Sequence, residues 1–204
     1  MGLLDLFRRA PAIRAPEALA DFIDERSAFL VQKGIYEYTR ARAGPFSRIL
    51  LVEPAFIEEI DRARWQAYPL GLAMVGELVE GMLRPDAGER QADVRDGLNG
   101  LVLSVFDRYP PPPQLDAATW SALREELQRR LDRIGSHPVK PVKDIAEPFW
   151  DRYFKLMPVH EKLRSRDEGT TRAYLQLTLI NIHDDLTKRL DAAVLVEALR
   201  AEVR

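Results

Sequence analysis

Histidines and carboxylates are the side chains here that could run acid–base or metal chemistry. The chain has three histidines, His137, His160 and His183, and no cysteine. In the run INIHDDLTKRL, residues 180–190, His183 stands directly before Asp184 and Asp185. One imidazole and two carboxylates are the donor types of a divalent metal site or a proton-transfer pair. Helical spacing argues against that chemistry. Leu175, Leu179, Ile182, Leu186 and Leu190 define one buried stripe, which leaves His183 at its edge and turns Asp184 and Asp185 outward and away from each other. His183 therefore reads as an edge-of-core histidine, hydrogen-bonded to backbone or carboxylate. No HExxH or Glu-x-x-His pattern supplies further ligands, and neither a metal nor a cofactor is expected. The aspartates read as solvated surface. His137 lies in a proline-rich loop and His160 follows Pro158; a small acid–base or metal site would need His160 to meet His183 across the fold.

Other chemistries are set aside by absent residues. Without cysteine there is no disulfide framework, thiolate metal site or thiol nucleophile. No GxxxxGKS or GKT loop, GxGxxG or GxSxG occurs, and no catalytic residue is assigned.

A line of basic residues is the stronger anomaly. Arg26, Lys33 and Arg40 recur every seven residues along a predicted helix, between Phe22 and Phe29 on one flank and Leu19, Ile23 and Leu30 on the other. Cations bordered by large apolar side chains either pair with acids or snorkel to water. Pairing with acids, such as Glu58, Glu77 or Glu80, is the favoured reading. The alternative is a small-anion site between the first helix and the central one, held by Lys33 and Arg40 with Tyr36 contributing a hydroxyl and His183 an acid or base.

These residues must be positioned by helices, because nearly every segment between breakers has a 3.6-residue apolar period. The first helix is predicted over Glu17–Ala43 and stops at Gly44-Pro45. A second segment begins near Ser47, is opened as a helical turn by Pro54, and is interrupted by Pro69. After Pro69, apolar residues cover most of the circumference and only Ala73, Glu77, Glu80 and Arg84 form a narrow polar side, so this is the central helix. Gly71, Gly76 and Gly81 are expected to admit close helix approach. Asp86 and Glu89 read as a capping arrangement for the next helix, whose stripe is Val94, Leu98, Leu101, Val102 and Val105, with Arg90, Asp93, Asp96 and Asn99 outward.

Pro110–Pro113 form a stiff extended link. Asp116 then reads as an N-cap ahead of the stripe Trp120, Leu123, Leu127, Leu131 and Ile134. Residues 135–148 read as a surface loop. A short aromatic helix follows, in which Trp150, Tyr153 and Phe154 offer an interaction surface, core packing being the plainer reading. Helices over Thr170–Arg189 and Ala192–Val203 complete the chain.

The fold class expected is all-α, an irregular bundle of about seven or eight helices. With 204 residues, 46% hydrophobic and 30% charged, one domain is expected over 1–204, with a possible two-part body about the proline link at 110–113. Thirty basic residues against 32 acidic ones give a net charge of -2 and no field for nucleic acid. The start, with Leu3, Leu4, Leu6 and Phe7 on one side, allows a peripheral membrane contact. Lack of cysteine fits a reducing, cytoplasmic setting. These features together suggest a soluble helical protein that binds another protein or a second copy of itself, as a homodimer, without catalytic activity.

Overall fold

The structure, a computed structural model, describes residues 11–164 and 167–201. The amphipathic start and the last residues of the predicted final helix lie outside them. The fold is all-α, and among the described residues the only β-type pairing is an isolated parallel bridge between Ile13 and Leu190. No helix among them is long and apolar enough to cross a membrane.

Residues 16–43 form one helix in three parts: α1 (Pro16–Ala28), a π-helical turn (Phe29–Lys33) and α2 (Gly34–Ala43). Ala15 and Pro16 open it, and Gly44 ends it with a φ of 52° that a side chain would strain. The π turn has an identifiable cause. Tyr153, fully buried, donates its hydroxyl to the Val31 carbonyl at 2.8 Å and so inserts into the helix ladder. Gly34 makes room: a β-carbon there would overlap the Tyr153 hydroxyl and the Tyr174 ring.

A corner containing the short α3 (Ser47–Leu50) leads to α4 (Pro54–Ala87), 34 residues long. Contrary to the expectation from sequence, Pro69 does not interrupt α4, and Asp86 lies inside it rather than capping the next helix. Pro69 leaves the Trp65 carbonyl without its ladder donor, a cost that close packing on every side of this segment offsets; residues 67–80 are all buried. Gly71 lies where a β-carbon would meet the Ser27 carbonyl at 2.7 Å, so α1 crosses α4 backbone to backbone.

A 3-10 turn joins α4 to α5 (Gln91–Phe106). The apolar stripe of α5 is buried as expected, but Asn99 is buried too: its amide donates to the Leu131 carbonyl at 3.1 Å, holding the end of α6 (Ala117–Leu131). Asp116 caps α6 by accepting from the Thr119 amide at 2.6 Å. The proline link is anchored by its flanks. Tyr109 and Tyr68 both donate to Asp24, at 2.9 and 2.6 Å, while Phe106 stacks on Trp120 at 4.3 Å and Trp65 packs edge-on against Trp120 at 5.8 Å. Burial, then the bonds to Asp24, push both phenols above their ordinary range, so both remain donors.

Beyond α6, residues 135–149 form a strap along α4, which leads to α7 (Trp150–Lys155) and α8 (Glu161–Arg164). Helix α9 (Glu168–Arg189) runs antiparallel to residues 16–43: Asp167 meets Arg42 at 3.1 Å, and Asp185 meets Arg26 at 2.9 Å. Helix α10 (Ala192–Ala201) packs on α4 and α5. Gly97 permits that approach, because a β-carbon there would overlap the Leu199 carbonyl.

Gly97→Ala should lower the unfolding free energy by about 1–3 kcal/mol in urea titrations, since backbone and not a flexible side-chain tip must move. A second prediction concerns Glu126, which joins Arg130 on its own helix to Arg152 on α7. Burial would raise its pKa, but the hydrogen bonds and charges of Arg152 and Arg130 outweigh it and hold it below the ordinary 4.5. A folded-state pKa below the unfolded one stabilises above the unfolded value, and that contribution is lost as pH falls through the folded one. The stability difference between wild type and Glu126→Gln should therefore be present at about pH 7 and shrink by about pH 3.

Candidate functional site

The basic line of the first helix does not survive as a line. A π turn takes one more residue than an α turn, so it rotates everything beyond Lys33 by roughly 100° against an uninterrupted helix. Arg26 faces α9, where it pairs with Asp185 and lies over the Phe22 ring at 5.4 Å from its centroid. Lys33 turns to solvent and rests over the Phe29 ring at 4.6 Å. Arg40 pairs with Glu37 one turn back at 2.7 Å, and Tyr36 is exposed. Arg26 and Arg40 thus pair with acids, as favoured, but not with Glu58, Glu77 or Glu80, which are engaged by Arg62, Lys140 and Arg84. Lys33, Tyr36 and Arg40 do not converge with His183 on one groove.

Among the other expected residues, Tyr153 and Phe154 face the interior, 0% and 6% exposed, and Trp150 is half-buried against the core. Asp184 is exposed, as its position on the wheel implies, whereas Asp185 is held by Arg26 and Arg189. His183 lies 3.6 Å from Asp184 through Nδ1. His160 lies in a separate groove with Leu50 and Phe56, accepting from the Lys162 amide at 3.3 Å. It is His137, not His160, that shares a pocket with His183.

That pocket, about 80 Å³, is enclosed by Glu77, Glu80, Arg84, His137, Lys140 and His183. It forms because the strap covers the polar side of α4. The apolar remainder of α4 is consumed by α1, α5, α6 and α10, so Glu77 and Glu80 are left facing outward and are then roofed over, at 8% and 4% exposure. Each carboxylate is matched. Arg84 grips both oxygens of Glu80 at 2.9 and 2.6 Å and also donates to the His137 carbonyl at 2.7 Å. Lys140 reaches Glu77 Oε1 at 2.7 Å, with His137 Nε2 at 3.5 Å from the same oxygen. Gly135 starts the strap with a φ of +79° between Glu80 and Arg95, a conformation and a space that both favour glycine.

Two cations against two carboxylates make the pocket wall electrically balanced. Its geometry is that of a clasp holding the strap to α4. Among the described residues no three His, Asp or Glu side chains come together as a metal site. The signal for the clasp was in the sequence, as two acids one turn apart on an otherwise apolar helix; what it lacked was any mark of which distant cation would meet them.

A different surface stands out on exposure. In the corner between α2 and α4, Phe46, Ile49 and Val52 are 66%, 67% and 70% exposed, with Ile57 at 39% just beyond. An apolar groove of about 160 Å³ adjoins the corner, lined by Leu50, Phe56, Pro158 and Val159. Arg48 and Glu53 are exposed within the corner and form no ion pair among the described residues.

Comparison of the chain with protein-family models, with curated proteins and with solved structures gives no match.

Truncating Lys140 should leave Glu77 a buried carboxylate with only His137 near it. Lys140→Ala is expected to cost about 1–3 kcal/mol, below the usual range for a broken buried pair because Lys140 itself is one-third exposed. Adding Glu77→Leu to it should recover most of the loss in the same chemical-denaturation assay.

Proposed function

We propose that the chain is an assembly protein whose partner is a second copy of itself, docked through the corner between α2 and α4. The observation that carries this reading is the cluster Phe46, Ile49 and Val52, three large apolar side chains about two-thirds exposed within seven residues. Single exposed apolar residues are common, but a cluster beside an apolar groove marks an interaction surface. The same corner supports a like partner through its charges. Arg48 and Glu53 stand in the same corner with opposite signs, and a two-fold axis passing between them would set Arg48 of each copy opposite Glu53 of the other.

Magnitudes favour a modest affinity. Burying the exposed parts of three such side chains on each of two copies contributes roughly 6–12 kcal/mol. Association costs about 4–15 kcal/mol. The dimer is therefore concentration-dependent, and its charges set orientation more than strength. The aromatic segment around Trp150 contributes little under this reading, because Tyr153 and Phe154 are core residues.

Sedimentation equilibrium over a range of concentrations tests it. The wild-type chain should move from monomer to dimer, and Ile49→Glu should remain monomeric throughout with unchanged thermal stability. Arg48→Glu and Glu53→Arg should each weaken dimerisation by roughly tenfold, and the two together should restore it. A wild-type chain that stays monomeric, or an Ile49→Glu chain that dimerises as well as wild type, would overturn the proposal.

A further inference from the structure

The π turn that holds Tyr153 also shapes a pocket on the far side of Gly34. About 200 Å³ lies between α2, the start of α9 and the end of the α7 segment, lined by Gly34, Glu37, Tyr38, Met157, Thr171 and Tyr174. Its walls are almost wholly apolar. Ala41 and Thr170, both exposed, sit at its mouth. An engineered apolar cavity of about 150 Å³ takes up benzene, so this volume suits one substituted ring.

One hydroxyl just behind the wall points to what the ring carries. Thr171 is 4% exposed, and its Oγ1 has no hydrogen-bond partner among the described residues. Thr39 and Thr187, by contrast, both donate to the carbonyl one turn back, at 2.7 and 2.8 Å. Thr171 has the Asp167 carbonyl in the corresponding place, already accepting the Thr171 amide, and its hydroxyl does not use it. The Tyr174 hydroxyl, out of contact with water, is turned toward Thr178 and away from this role. A buried hydroxyl with no partner is a cost to the fold that a ligand acceptor would relieve. Rotating Thr171 about χ1 exchanges its methyl for its hydroxyl at the wall, a change that is favourable once a ligand oxygen is there to meet it.

Charge narrows the class. Glu37 lies at the wall with Arg40 closed onto it, and Tyr38 donates to Asp167 at 2.8 Å. Burial, then that bond, pushes the Tyr38 phenol up to about 12, so it stays neutral and spoken for. No cation faces the pocket among its described lining residues, and a carboxylate ligand would find two acids near and no partner.

We infer that this pocket is a binding site for a small neutral aromatic or alicyclic molecule bearing one hydroxyl or carbonyl oxygen, the ring held by Tyr38, Met157 and Tyr174 and the oxygen by Thr171. It is independent of the α2–α4 corner, so dimerisation and ligand uptake are separate properties.

Isothermal titration calorimetry with p-cresol, toluene and benzoate tests the site on the full chain. p-Cresol should bind saturably and more tightly than toluene, and benzoate should not bind. Thr171→Val should weaken p-cresol by roughly five- to tenfold, the equivalent of one neutral hydrogen bond, and leave toluene unchanged. Ala41→Phe should abolish binding of both; Thr170→Trp closes the mouth from the opposite wall if Ala41→Phe does not give a cooperative thermal transition. Absence of saturable p-cresol binding would overturn the inference. So would equal binding by a mouth-blocked variant, or the same loss for toluene as for p-cresol in Thr171→Val.

Discussion

The arrangement depends on a single constraint: α4 is apolar around nearly its whole circumference and must be surrounded. A helix with one apolar stripe is satisfied by one neighbour, whereas α4 needs several, and it recruits α1, α5, α6 and α10 from both sides of the proline link. Close approach is bought with glycine. Gly71 lets α1 lie on α4, and Gly97 lets α10 reach α5 behind it. These four helices then consume most of the apolar surface, and the polar remainder of α4 is covered by a strap that supplies Lys140, the His137 carbonyl and the buried side chains of Ile145 and Phe149.

Much of this was legible in the residues. Apolar period, the Asp116 cap, the Gly44 stop and the central position of α4 follow from local rules that tertiary packing does not reverse. Three expectations failed for reasons of packing. Pro69 breaks an exposed helix, but a segment wrapped on every side keeps its course despite one missing bond. Asn99 shares the polar face of α5 with Asp93 and Asp96, yet α6 ends above it and its amide is drawn in to hold a terminal carbonyl. Asp86 has the spacing of a cap, but α4 runs past it to Ala87.

The reading of the site failed at a different point. Counting sevens from Arg26 assumes an unbroken α-helical phase, and Tyr153, more than a hundred residues downstream, changes that phase by bonding Val31. No local pattern announces a π turn. Gly34 is the nearest thing to a mark, and it is as easily read as a weak helix former. That His137 and His183 line one pocket was hidden for a related reason, since the course of an irregular strap follows from what it covers and not from its own periodicity.

The two ion pairs under that strap differ in how they are made. Glu80 and Arg84 are one turn apart on α4, so they can associate as soon as that helix exists. Glu77 has no such local partner and is met by Lys140 on the strap. The first pair requires only that α4 be helical, whereas the second exists only where the strap is seated. Glu77 with Lys140 is thus a marker of strap docking, which Glu80 with Arg84 is not.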